Sequence, residues 1–293
     1  MVGRWRCANA INEAPTVPQP RTPTRTTEPF TSARLPAADP STRRVSSSLF
    51  EVGPTSAGSL LPAYSLRMTD RLEAYLNTRD RICTVVRDLP ADSLDAIVPA
   101  CPEWSVKDLL GHVVGLPAAI GSGNLPDGDL DGWLRGIVDE RRSQRLGELL
   151  SEWEGLDTAI AATLSASDAL YGDLVVHEHD LLAAVRQPDS SSFDTEIVLP
   201  MTMSAVSYWL RDTGLGAIEC RDADRVWVSH DGPIGWTIEV SAWEAVRALN
   251  SRRTADELRS LPGTGEAEPY IAVLDGHLPL PRTSLREVDT VPR

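Results

Sequence analysis

The chain has 293 residues, 42% of them apolar, and a formal charge of −14 with a pI near 4.8. Its length allows a sizeable core divided over two units, while its acidity sets a repulsive field against nucleic acid and anionic membranes. No stretch reaches the roughly 18 uninterrupted apolar residues of a membrane-spanning helix, and the four scattered cysteines show neither zinc-knuckle pairs nor disulfide density, so a cytoplasmic, monomeric protein is expected.

Residues 1–67 hold nine of the 22 prolines and eight arginines against four acids, a charge of +4 that leaves −18 for residues 68–293. With few periodic apolar positions this segment cannot offset the entropy of ordering, and a disordered leader is predicted. Two origins stay open: an organellar transit peptide, since the apolar region of a secretory signal is missing, or a reading frame that begins upstream of a true start at Met68.

From Thr69 the spacing turns helical, with Leu72, Tyr75, Leu76, Ile82, Val85 and Val86 on one face up to Leu89 and Pro90. After the turn Pro99–Pro102, Ser105 and Asp108 form a capping-box pattern that opens a second helix carrying His112. A Gly/Pro/Asp-rich loop over 121–132 leads to a third long helix, expected from Arg141 to Ala166 because Leu146, Leu149, Leu150, Trp153, Leu156 and Ile160 keep helical spacing. A fourth runs from about Ala169 to Val185 and stops near Pro188.

Four helices with modest loops predict a four-helix bundle over 68–190. Beyond it a helix over Glu196–Arg211, three short strands (Leu215–Cys220, Arg225–Ser229, Gly235–Val240) and a helix over Ser241–Leu249 predict a smaller α+β C-terminal domain over 193–290. The fold class is thus mainly α.

The chain has five histidines. Asp173 and His177, four apart on one helix, share a face, so a carboxylate and an imidazole can grip one ion. His112 from the second helix would complete a three-ligand N/N/O set with an open position, the arrangement of a catalytic zinc site. Asp180, three residues on, lies near the same face as an acceptor orienting His177 or as a catalytic acid/base group. His179, about 200° round the helix from His177, is excluded. Each residue alone also fits a plainer role: His112 a hydrogen-bonded core histidine, Asp173 an acid in the first turns of its helix, Asp180 a solvated charge. No nucleophile elbow, phosphate loop, dinucleotide fingerprint or H-E-x-x-H motif is present.

The run from Val98 through Cys101-Pro102-Glu103-Trp104-Ser105 to Gly111-His112 resembles the opening signature of the mycothiol-dependent maleylpyruvate isomerase family, a branch of the DinB-like metal-binding helical bundles. Trp133–Trp153 and Val176–Leu181 resemble its third-helix region and its second metal motif; Arg211–Gly216 through Arg252-Arg253 is more loosely similar to its C-terminal domain. The resemblance implies a zinc ion on His112, Asp173 and His177, with aspartate standing where the family has glutamate, one methylene longer. It also implies mycothiol as a thiol cosubstrate held as thiolate, and a small electrophile as partner. The thiolate would add to a cis double bond, allowing rotation and elimination, or would be transferred and kept. The shorter acid motivates the alternative of a non-catalytic small-ligand or partner-binding protein with a vestigial metal site.

Overall fold

The computed structural model describes residues 68–127, 129–187, 195–223 and 225–285; the predicted leader lies outside them. Helix α1 (Met68–Arg87) buries Tyr75, Ile82, Cys83 and Val86, on the face that the spacing predicts. A 3-10 turn (Ala91–Asp95) then leads to a short hairpin of β1 (Ile97–Val98) and β2 (Cys101–Ser105), whose tight link is the predicted Pro-rich turn.

Helix α2 (Val106–Gly121) starts where the capping box places it. The Ser105 hydroxyl accepts from the Asp108 amide and the Asp108 carboxylate accepts from the Ser105 amide, both at 3.1 Å. Such a cap is worth about 1 kcal/mol and fixes where the helix begins. His112 therefore falls in the second turn, on a helix buried nearly all round.

The expected single helix over Arg141–Ala166 is instead two, preceded by a third that the loop reading missed. Helix α3 (Leu130–Asp139) is capped by Asp129, whose carboxylate accepts from the Gly132 amide at 2.9 Å. Helices α4 (Leu146–Glu154) and α5 (Asp157–Ala166) are separated at Gly155 and Leu156. Glycine has the weakest helix propensity after proline, so the ladder ends there although the leucine spacing runs on. Buried Arg141 joins α3 to α4, bonding the Ile137 carbonyl at 3.0 Å and Glu152 at 2.6 Å. A Cβ at Gly115 would stand 2.3 Å from Ile137 Cγ2, so the approach of α2 to α3 requires glycine.

Helix α6 (Ala169–Val185) closes the bundle, packing on α1, α2 and α5. Fully buried Trp153 donates its Nε1–H to Tyr75 Oη at 3.2 Å, tying α4 to α1 without leaving the indole nitrogen unpaired.

Helix α7 (Thr195–Leu210) opens the α+β part, which packs on α6. Its strands β3 (Ala217–Asp222), β4 (Arg225–Val228) and β5 (Ile234–Glu239) fall within about two residues of their expected positions. They are followed by α8 (Ala242–Leu249), α9 (Ala255–Arg259), β6 (Gly263–Gly265) and α10 (Ala267–His277), the last three not foreseen. The sheet order is β4-β3-β5-β6, with β3 and β5 parallel and the outer pairs antiparallel. Gly263, at φ +149°, brings β6 against Thr237 so closely that no side chain would fit. One hydrophobic core runs from Tyr75 to Leu280 through both parts. Among the described residues no single helix is long and apolar enough to cross a membrane.

Candidate metal centre

Packing α2 against α6 brings His112, Asp173 and His177 together. His112 Nε2 lies 3.2 Å from Asp173 Oδ2 and His177 Nε2 lies 3.5 Å from Asp173 Oδ1. The two rings stand edge to face with centroids 5.0 Å apart, each meeting a different oxygen of one carboxylate. The i, i+4 relation on α6 supplies Asp173 and His177, as the spacing predicts; His112 arrives from the capped helix.

A tetrahedral ion with bonds of about 2.0–2.1 Å separates its donors by roughly 3.3 Å. One ligand atom from each of the three residues lies within 4.8 Å of the others, close enough to share one ion after small side-chain adjustments. The donor set of two imidazoles and a carboxylate therefore fits a zinc-like divalent cation.

The site opens on one side. The side chains of His112 and His177 are 2% and 10% exposed, whereas that of Asp173 is 31% exposed. Buried Trp104 on β2 packs against both rings, its centroid 5.0 Å from that of His112 and 6.4 Å from that of His177.

Burial alone would raise the Asp173 carboxyl, but the His112 and His177 rings outweigh it and hold Asp173 well below the usual carboxylate range. Burial likewise pulls His177 down, yet Asp173 and then Asp180 overcome it, and its pKa is pushed up to about 9. His112 Nδ1 is buried with no hydrogen-bond partner among the described residues, so its ring is anchored through Nε2 alone.

Asp180 sits behind His177 rather than in the mouth. Its Oδ2 accepts from His177 Nδ1 at 3.1 Å, while Arg247 Nη1 reaches Oδ1 at 2.9 Å and Arg252 Nη2 reaches Oδ2 at 2.5 Å. Its side chain is fully buried, and the arginines hold its pKa well below the usual range in spite of that burial. Of the two roles open to it from sequence, this environment suits the acceptor that orients His177 and not a group that exchanges protons.

Cys101, His177 and Asp180 form a second cluster of possible ligands within 4.8 Å. Three guanidinium N–H groups and the His177 ring already occupy the Asp180 oxygens, and two cations face it. A dication is therefore disfavoured there, and the first cluster is the better site.

His179 faces away, its ring 4.1 Å from that of Trp243, and burial together with Arg247 pushes its pKa down to about 3. Glu178 turns toward α1, where Arg81 bonds both of its oxygens at 2.7 and 2.8 Å. Sequence reasoning missed Trp104, Arg247 and Arg252 as parts of the site; only the quoted pair Arg252-Arg253 hinted at the last.

Fold and site together define a helical bundle with a three-residue metal-type cluster between two of its helices. The sequence model of the mycothiol maleylpyruvate isomerase N-terminal domain matches residues 76–182, a span that includes His112, Asp173, His177 and Asp180. Residues 76–182 are thus similar to that domain, and the chain continues past them into a smaller α+β part. Two crystal structures of the mycothiol-dependent maleylpyruvate isomerase, one of them a histidine-to-alanine mutant, are similar at 12% and 9% identity. Each comparison covers 64% of this chain and 90% of that one, with a TM-score of 0.42. No curated protein matches the chain.

Proposed function

We propose that the chain is a metal-dependent enzyme that applies a low-molecular-weight thiol of the mycothiol kind to a small electrophile. The reaction is cis–trans isomerisation of the maleylpyruvate type or transfer of the thiol to the electrophile. His112, Asp173 and His177 would hold one divalent ion, zinc by the chemistry of its donors. The observation that carries this reading is the meeting of His112 Nε2 and His177 Nε2 on the two oxygens of Asp173.

When bound, such an ion supplies Lewis acidity that keeps a thiol ionised at neutral pH. The remaining features belong to the chain. Asp173 is the most exposed of the three donors, so both reactants would approach along its edge. Buried Trp104 packs against both histidine rings and would lower the local dielectric, strengthening the electrostatic contacts there. Asp180 holds the His177 ring by Nδ1 and leaves Nε2 for the ion.

The shorter reach of aspartate is met by the close packing of α2 on α6, which brings Oδ2 within 3.2 Å of His112. The test is thiol consumption by zinc-loaded protein against a panel of electrophiles that includes maleylpyruvate, with product geometry read by NMR. Catalytic turnover that disappears on chelation supports the reading. A chain that retains stoichiometric zinc yet shows no turnover across the panel argues instead for a binding protein with a vestigial site.

A further inference from the structure

We infer that Arg247 and Arg252 are positioning residues for the metal centre, acting through Asp180 to fix the His177 ring with Nε2 turned toward Asp173. The inference rests on the metal reading above, but its evidence is separate. Both arginines lie outside the matched domain, 67 and 72 residues beyond Asp180 in sequence, so the α+β part completes a site whose ligands all come from the bundle.

A fully buried carboxylate is costly unless its charge and lone pairs are satisfied. At Asp180 four donors achieve this: Arg247 Nη1 at 2.9 Å, Arg252 Nε at 3.4 Å, Arg252 Nη2 at 2.5 Å and His177 Nδ1 at 3.1 Å. With both oxygens engaged the carboxylate cannot rotate, and its only link toward the histidines is the Nδ1 bond. A ring held by Nδ1–H would bind a metal through Nε2, once that nitrogen has given up its proton.

The arginines are themselves fixed. Arg247 lies on α8 with its side chain 2% exposed. Arg252 Nη1 donates to the Asn250 carbonyl at 2.6 Å, and Asn250 Nδ2 donates to Thr202 on α7 at 2.9 Å. Neither contact involves the bundle, so α7 and α8 form a frame against which Asp180 is braced. Arg253, the next residue, points elsewhere and pairs with Glu244 at 2.6 Å.

The experiment uses the full chain with zinc alone as the probe. Zinc affinity, by chelator competition, is compared for Arg247→Met, Arg252→Met, Arg252→Lys and Arg253→Met, and nitrogen-15 NMR follows the His177 Nδ1 proton in the metal-free proteins. Arg247→Met and Arg252→Met should each weaken zinc binding about 10- to 100-fold, the usual cost of losing a group that orients a metal ligand. They should also lose the hydrogen-bonded Nδ1 signal. Arg252→Lys should recover part of both, and Arg253→Met, which removes the same charge one residue away, should change neither. Should Arg252→Met fail to fold, Asp180→Asn and Arg252→Lys carry the same comparison. Unchanged zinc affinity with an unchanged Nδ1 signal in Arg252→Met overturns the inference, as does an equal loss in Arg253→Met. A wild-type chain that binds no zinc sinks the metal reading alone, and the Nδ1 signal then decides this inference by itself.

Discussion

His177 Nδ1 stands 3.1 Å from Asp180 Oδ2, on the side of the ring opposite to the nitrogen that meets Asp173. One imidazole is therefore held between two carboxylates of different character, one buried and braced by arginines, the other at the opening.

That division separates the histidines of the chain by experiment. His112→Ala and His177→Ala should each reduce bound zinc to below about a tenth of an ion per chain, since each removes one of three donors. His179→Ala should retain full zinc, because its ring packs on Trp243. Metal analysis of the three purified variants checks this; equal loss in all three would remove the helical-face reasoning on which the site rests.

Asp173→Glu restores the longer acid that the family resemblance implies and should keep one zinc per chain, changing turnover by less than about tenfold. Asp173→Asn keeps the shape but not the charge and should bind zinc at least about tenfold more weakly. Chelator competition on both variants, alongside thiol consumption, measures this. Full affinity in the Asn variant would show that the carboxylate charge is not used.

How far the sequence could be read is clearest on α6. The i, i+4 spacing of Asp173 and His177 and the opposed direction of His179 follow from helix geometry alone, so they were legible. His112 was legible through its cap, because Ser105 and Asp108 place it two turns into a helix. The break at Gly155 was not: leucine periodicity runs through it, and periodicity cannot register one residue that leaves the helical ladder. The hairpin β1–β2 was missed because strands of two and five residues carry too little alternation. Arg247 and Arg252 were hidden for another reason, since no local pattern announces a partner 67 or 72 residues away.

The metal-free chain should show a pH dependence whose sign follows from two groups. The His177 pKa is raised from the ordinary 6.5 to about 9, so its stabilisation is complete below about 6.5 and is lost as pH rises through 9. Asp173 is depressed, so its contribution is present above about 4 and is lost as pH falls further. Unfolding free energy without zinc should thus hold between about pH 5 and 6.5 and fall toward pH 9, by an amount on the order of 1–3 kcal/mol, with the melting temperature falling in step. Zinc must displace the His177 proton, so its binding near pH 7.5 should release up to about one proton. Calorimetry in buffers of different ionisation enthalpy reads that release, and a release of zero contradicts the protonated His177 of the metal-free site.

Glu178 provides a test of structure without chemistry. Its side chain is 3% exposed and held by Arg81 through both oxygens, while the Arg81 side chain is 40% exposed, so Glu178→Ala should lower stability by about 1–3 kcal/mol through loss of the charge-assisted bonds. Zinc per folded chain should not change. Denaturant unfolding with parallel metal analysis checks both; zinc loss in the folded variant would make Glu178 a ligand in place of Asp173.

X-ray absorption at the zinc edge of the zinc-loaded chain, measured without added thiol, bears on the centre most directly. Donation by His112, Asp173 and His177 requires only nitrogen and oxygen neighbours at about 2.0–2.1 Å, with the outer-shell pattern of two imidazoles. A sulfur neighbour at about 2.3 Å would place the ion on Cys101 instead, and a chain that holds no zinc would leave no metal centre to describe.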